Sequence, residues 1–267
     1  MKSKKKYFEW GSKTYIMGIL NVTPDSFSDG GMYTDFSAAR RHALSMIEEG
    51  ADFIDIGGES TRPDAIPVES VEEISRVLPV IKDLSEICDT TISIDTYHAK
   101  TALAAIEAGA TLVNDVWGLR ADPDMADVIA QHDVYVCIMH NRKTPDYNDF
   151  IDDVKRDLSF SIEIALKSKI KEENIIIDPG VGFGKTYENN ISIMKNLDEF
   201  KKFGYPLLLG VSRKSIIGVT LKLPLNERIE GTIAVNVMGI IKGADIIRVH
   251  DIEPNRRAAI MTDRMVR

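Results

Sequence analysis

The chain has little cysteine. Cys88 and Cys137 are its only two thiols. They stand in apolar surroundings at no redox or metal-ligand spacing, so no disulfide framework is implied and both are expected to be reduced core residues. No apolar run reaches the ~18 residues of a membrane span, and the start, MKSKKKYFEW, carries lysines without the apolar stretch of a secretion signal. A soluble, cytosolic protein is therefore expected. Positive charge is also in deficit: the formal net charge is -8 and the sequence pI is near 5.2. A general nucleic-acid surface needs lysines and arginines clustered over a face, so nucleic acid is not an expected partner, and the run Lys4, Lys5, Lys6 reads as a solvated tail. Any anion must be met locally.

Familiar catalytic signatures are missing too. GVGFGKT looks like the end of a phosphate-binding loop, but the glycine required five positions before Gly184 is Pro179, and a dinucleotide fingerprint would need glycine at Lys185. Ser212, in GVSRKS, does not sit in a G-x-S-x-G elbow, so covalent catalysis is not expected. The five histidines include no pair at ligand spacing with a suitable carboxylate, which argues against a zinc site; His42 and His132 read as helix or surface residues.

What the chain has in quantity is alternation. Eight short apolar, β-branched-rich runs, YIMGIL, FIDIG, TISID, TLVND, VYVCIM, NIIID, PLLLG and DIIRV, are separated by helical-period segments, as expected of parallel strands covered on both faces. In one such segment Val71, Ile74, Val77, Leu78, Ile81 and Leu84 form an apolar stripe. A weak internal echo, EEGADFIDI, EAGATLVND and IKGADIIRV, places a glycine at a helix end just before a strand, where a left-handed C-cap precedes a right-handed crossover. No linker or low-complexity segment interrupts residues 1–267, so one domain is expected. Eight strand-helix units over about residues 14–267 match a (β/α)8 TIM barrel; an open doubly wound sheet shares the periodicity, but the count favours the barrel. Tyr7 to Thr14 are expected to form a short hairpin or a plug under its floor.

Each strand ends on polar residues: Asn21, GGESTRP from Gly57 to Pro63, Asp95, Asn114 with Asp115, Met139 with His140, Asp178, SRKS from Ser212 to Ser215, and Arg248 with His250. In a barrel these ends share one rim. Acids and amides suit a heterocycle rich in N–H groups, whereas Lys214, Arg248 and His250, from the last two strands, suit an anion.

MGILNVTPDSFSDGG, DIGGESTRP, DPGVGFGK, SRKS and RVHD, in this order from Met17 to Asp251, closely resemble dihydropteroate synthase. The resemblance implies a TIM barrel, often a homodimer, that joins 6-hydroxymethyl-7,8-dihydropterin diphosphate to p-aminobenzoate with release of pyrophosphate. It also implies a pterin pocket of Asp95, Asn114, Asp178 and Lys214 with Met139, Phe183 and Gly210 around the ring. Arg248 would stack on the ring and hold the diphosphate with His250, and Asn21 would bind Mg2+ carried on that diphosphate. Phe27, Asp29, Thr61, Arg62, Pro63 and Ser215 would line or close the p-aminobenzoate pocket, with Asp29 stabilising a pterin cation. The long stretches after Asn21 and Gly58 would be closing loops rather than connectors. Three features depart from the family pattern: Asp64 where glycine is usual, His98 in place of a frequent lysine, and a short segment after Met139. Three rival functions are a methyltetrahydrofolate-type pterin methyltransferase, which has no use for a diphosphate site, a non-catalytic pterin-binding paralogue, and an unrelated phosphate-binding barrel enzyme, which would explain the anion site but not Asp95, Asn114 and Asp178.

Overall fold

A computed structural model describes residues 5–23, 31–59 and 68–267. Its centre is one eight-stranded parallel sheet: β1 (Tyr15–Asn21), β2 (Phe53–Gly57), β3 (Thr91–Asp95), β4 (Leu112–Asp115), β5 (Tyr135–Met139), β6 (Ile175–Asp178), β7 (Leu208–Leu209) and β8 (Ile246–Val249). All eight expected runs are strands. Hydrogen-bonded neighbours follow the order β6-β5-β4-β3-β2-β1-β8-β7, and a single parallel bridge, Ile177 to Leu207, joins the two ends. The barrel is thus nearly closed, and its β6/β7 seam is the thinnest.

Helices cover the outside: α1 (Gly31–Glu48), α2 (Ser70–Ile87), α3 (Ala99–Ala108), α4 (Met125–His132), α5 (Phe150–Lys167), α6 (Tyr187–Lys195), α7 (Leu197–Lys201), α8 (Ser215–Leu221), α9 (Ile229–Ile241) and α10 (Ile252–Val266). The echo glycines Gly50, Gly109 and Gly243 all have positive φ at helix ends, as the left-handed cap requires. Among the described residues no helix is long and apolar enough to cross a membrane.

Strand parity divides the core in two. Outward residues such as Ile16, Leu20, Ile54, Ile56 and Ile94 pack under the helices. Inward residues Tyr15, Met17, Phe53, Leu112, Tyr135, Cys137, Ile176, Leu208 and Ile246 fill the barrel. The N-terminal segment resolves as a plug: a turn instead of a paired hairpin places Phe8 against Phe53, with ring centroids 4.6 Å apart, and stacks Trp10 on Phe8. Aromatic faces seal the floor without needing strand hydrogen bonds.

One expectation shifts. In α2 the buried face is Glu73, Val77, Val80, Ile81 and Leu84, whereas Val71 is 80% exposed and Glu73 is fully buried. A carboxylate has taken a core position that the apolar stripe assigned elsewhere.

Candidate active site

Above the apolar filling the inward positions turn polar. Register sets Asn21 beside Gly57, Gly57 beside Asp95, and Asp95 beside Asn114, so four consecutive strands present these residues at one level. Gly57 leaves the gap in that row: a Cβ there would lie 3.7 Å from Asn21 Oδ1 and 3.8 Å from Asp95 Oδ2. Across the mouth, Met139 is in register with Asp178.

The cations arrive from β8 and from the turn after β7. Arg248 donates through Nε to Asp55 Oδ2 and through Nη2 to Asp95 Oδ2, both at 2.6 Å. A side chain at Gly210 would begin 3.8 Å from both Asp178 Oδ2 and Lys214 Nζ and 4.0 Å from Arg248 Cβ, so these groups surround one space beside the glycine. Lys214 Nζ also donates to the Val181 carbonyl and lies 4.5 Å from the Phe183 ring centroid. His250 Nδ1 is 2.9 Å from Ser212 Oγ, and Arg213 pairs with Asp251. Ser215 opens α8 and is exposed.

These distances bring together Asn21, Asp95, Asn114, Met139, Asp178, Phe183, Gly210, Lys214 and Arg248 at the C-terminal mouth of the barrel, with Ser212 and His250 beside them. Phe27, Asp29, Thr61, Arg62 and Pro63 lie outside the described residues, as does Asp64.

The buried charges perturb one another. Burial, reinforced by Asp55 and opposed by Arg248, raises the Asp95 carboxyl to about 7. Burial likewise raises Asp178, against the pull of Lys214 and the Gly180 N–H, and lowers Lys214 to about 8. Arg248 is held above its ordinary value by Asp55 and Asp95 despite burial. Two carboxylates sharing one guanidinium, beside a depressed lysine, form a site poised to accept donors at one end and anions at the other.

Sequence reading missed Asp55. It is fully buried on β2 and accepts from Ser93 Oγ at 2.5 Å, Asn114 Nδ2 at 3.0 Å and Arg248. The signal was present: in FIDIG it stands two residues before Gly57 and so shares its inward face. Also missed was the support beneath the glycine loop after β6. Lys185 Nζ sits 2.8 Å from His140 Nδ1, and His140 Nε2 lies 3.2 Å from Asp157, which also takes Arg142 Nε at 2.7 Å. Burial lowers His140 to about 4 and Lys185 to about 7, which favours a neutral imidazole that donates to Asp157 and accepts from the lysine.

A parallel barrel whose rim offers acids and amides for a flat N–H-rich ring, with cations beside them, defines a pterin-binding enzyme. The model of the family described as pterin binding enzyme matches residues 17–250, and the chain belongs to that family. Within it the chain falls among the dihydropteroate synthases. It is 56% identical over 268 residues to dihydropteroate synthase of Clostridium beijerinckii, covering 100% of both chains. Dihydropteroate synthase of Clostridium difficile, solved in the presence of pteroic acid, superposes with a TM-score of 0.96 at 53% identity, covering 97% of this chain and 99% of that one. The Xanthomonas albilineans enzyme, solved with 4-aminobenzoic acid, gives a TM-score of 0.91 at 40% identity over 95% and 93% of the two chains.

Proposed function

We propose that the chain condenses 6-hydroxymethyl-7,8-dihydropterin diphosphate with p-aminobenzoate to give 7,8-dihydropteroate and pyrophosphate. The observation that carries this reading is the space at Gly210, bounded by Asp178, Lys214 and Arg248: a carboxylate for the ring's paired N–H donors and two cations for its departing tail. Asp178 accepts the pterin amino group and adjacent ring N–H side by side, and Asp95 and Asn114 meet the remaining ring edge. Met139 and Phe183 border the ring.

The reaction needs no nucleophile from the protein. The bond from the pterin methylene carbon to the diphosphate oxygen breaks, and its electron pair leaves with the diphosphate. The resulting cation is delocalised over the ring. The neutral aryl amine forms the C–N bond with its lone pair and then releases a proton. The protein supplies placement, charge stabilisation and water exclusion. Arg248 is the principal charge on the leaving group, with His250 next to it. Phe27, Thr61, Arg62, Pro63 and Ser215 serve the p-aminobenzoate side, and Asp29 the cation.

Mg2+ fits the donor chemistry at Asn21. Its Oδ1 is a hard, neutral oxygen on the rim, near Asp95, and Mg2+ is held by few protein oxygens together with substrate phosphates. Bound on the diphosphate, the ion would neutralise charge developing on the leaving group. A homodimer is supported by apolar side chains left exposed on the last helices, among them Met238, Ile241, Ile260 and Met261. The net charge of -8 disfavours nucleic acid and is compatible with small-molecule substrates met by local cations.

The test is pyrophosphate release by the purified protein given both substrates, with and without Mg2+. Release that requires both substrates and is stimulated by Mg2+ is expected; none with both present would overturn the reading. A methyltransferase would instead consume a methylated folate, and a non-catalytic paralogue would bind pterin without release.

A further inference from the structure

A second cluster of charged groups lies outside this pocket, where the end of β2, the first turns of α2 and the β3–α3 turn meet. Glu59, Glu73 and His98 each offer one ligand atom within 4.8 Å of the others. Glu73 is fully buried and Glu59 is 9% exposed. Each carboxylate has one oxygen fixed by hydroxyl groups: Glu73 Oε2 accepts from Thr101 Oγ1 at 2.6 Å and Thr96 Oγ1 at 3.1 Å, and Glu59 Oε1 accepts from Tyr97 at 2.7 Å. The other oxygens, Glu73 Oε1 and Glu59 Oε2, together with His98 Nε2, have no hydrogen-bond partner among the described residues.

We propose that Glu59, Glu73 and His98 form a binding site for a first-row transition-metal dication such as Zn2+ or Mn2+. Two carboxylate oxygens and one imidazole nitrogen face one another here, and a single imidazole N–H could satisfy only one of those oxygens. Arg76, on the same helix as Glu73, is directed to the Gly58 carbonyl and to Glu72. The hydroxyl contacts aim the ligands as outer partners do at metal sites. His98 Nε2 and Glu59 Oε2 are 3.4 Å apart, the edge expected for two ligands ~2.0–2.2 Å from a tetrahedral ion. A mixed imidazole and carboxylate set suits Zn2+ or Mn2+ better than Mg2+. Partial exposure of the His98 side chain gives the ion a way in. Once bound, it ties the β3–α3 turn to α2 and to the root of the segment that continues through Ser60 to Pro67.

The test uses metal-stripped full-length protein without substrates. Titration with Zn2+ by calorimetry and with Mn2+ by electron paramagnetic resonance is expected to show one bound equivalent and a raised Tm. Removing an outer partner at such sites costs about 10–100-fold, so loss of a ligand in His98→Ala or Glu73→Gln should weaken binding at least that much. Asn21→Ala should keep it, separating this site from the diphosphate-linked Mg2+. His98→Lys keeps a cation beside the carboxylates and serves if the other variants fail to fold; it should be folded and unable to bind either ion. Equal binding by the wild-type protein and His98→Lys, or no binding to the wild-type protein, would overturn the proposal in favour of a buried ion pair.

Discussion

Arg248 on β8 spans the barrel mouth to Asp55 on β2, its Nε 2.6 Å from Asp55 Oδ2, while its Nη2 holds Asp95 on β3. The guanidinium is thereby fixed in orientation before any ligand arrives. Asp55 in turn is held by Ser93 and Asn114, so it acts as a positioning residue for both the arginine and the amide.

Asp55→Ala should therefore be costly in two ways. Removing one partner of a buried ion pair typically costs about 3–5 kcal/mol, which chemical denaturation would read as a lower midpoint. Asp55→Asn keeps the volume but donates where the native group accepts; it should fold and lose kcat/KM for the pterin diphosphate by about 10–1000-fold. An unchanged kcat/KM in Asp55→Asn would show that Arg248 is oriented by Asp95 alone.

Asp178→Ala removes the acceptor of the ring's paired donors and leaves Lys214 without its counter-charge. Calorimetry should find pterin binding abolished, since stranding buried polar groups costs about 1–3 kcal/mol each, more when charged. Arg248→Ala should depress both kcat and kcat/KM for the diphosphate substrate while an uncharged pterin still binds. Normal turnover by either variant would remove that residue from the site.

How much of this was readable in advance depended on how locally each feature is encoded. All eight strands were, because a parallel strand covered on both faces must be a short β-branched run, and the rim was, because strand ends carried its polar groups. Asp55 was not, because its role comes from inward parity across β2, β3 and β8 and not from a strand terminus. The α2 stripe was misjudged at Val71 because hydroxyls on Thr96 and Thr101, distant in sequence, make a buried position acceptable for Glu73. The N-terminal segment was legible only as a hairpin or a plug, because tertiary contact alone decides that Phe8 and Trp10 stack in place of pairing as strands.

Gly180, just after Asp178, has φ +70, and a Cβ there would lie 1.9 Å from the His140 carbonyl oxygen. Gly204 has similar φ, +81, with nothing within 4 Å. The two positions separate backbone strain from collision. Gly204→Ala should cost only the left-handed penalty of about 1–2 kcal/mol and leave activity intact. Gly180→Ala must also push β5 and β6 apart at the pocket, so its denaturation midpoint should fall further and pterin binding should weaken. Equal losses in the two variants would mean the loop absorbs the methyl group.

Asp95 gives the pH dependence a definite sign. Its carboxyl stands near 7 in the folded protein against an ordinary 3.8, so between those values the folded protein binds more protons than the unfolded chain. Its contribution to stability is then fully present below about 3.8 and is lost as the pH rises through about 7. Asp115, raised to about 6 by burial, acts in the same direction. His140, lowered to about 4 from 6.5, acts oppositely, its contribution disappearing as the pH falls through that range. Urea unfolding at pH 5 and pH 7.5 isolates the Asp95 part when the wild-type protein is compared with Asp95→Asn, because Asp115 and His140 remain in both. Asp95→Asn should have the shallower decline in unfolding free energy from pH 5 to 7.5, whatever its absolute stability. A decline as steep as that of the wild-type protein would mean that Arg248 keeps Asp95 ionised throughout.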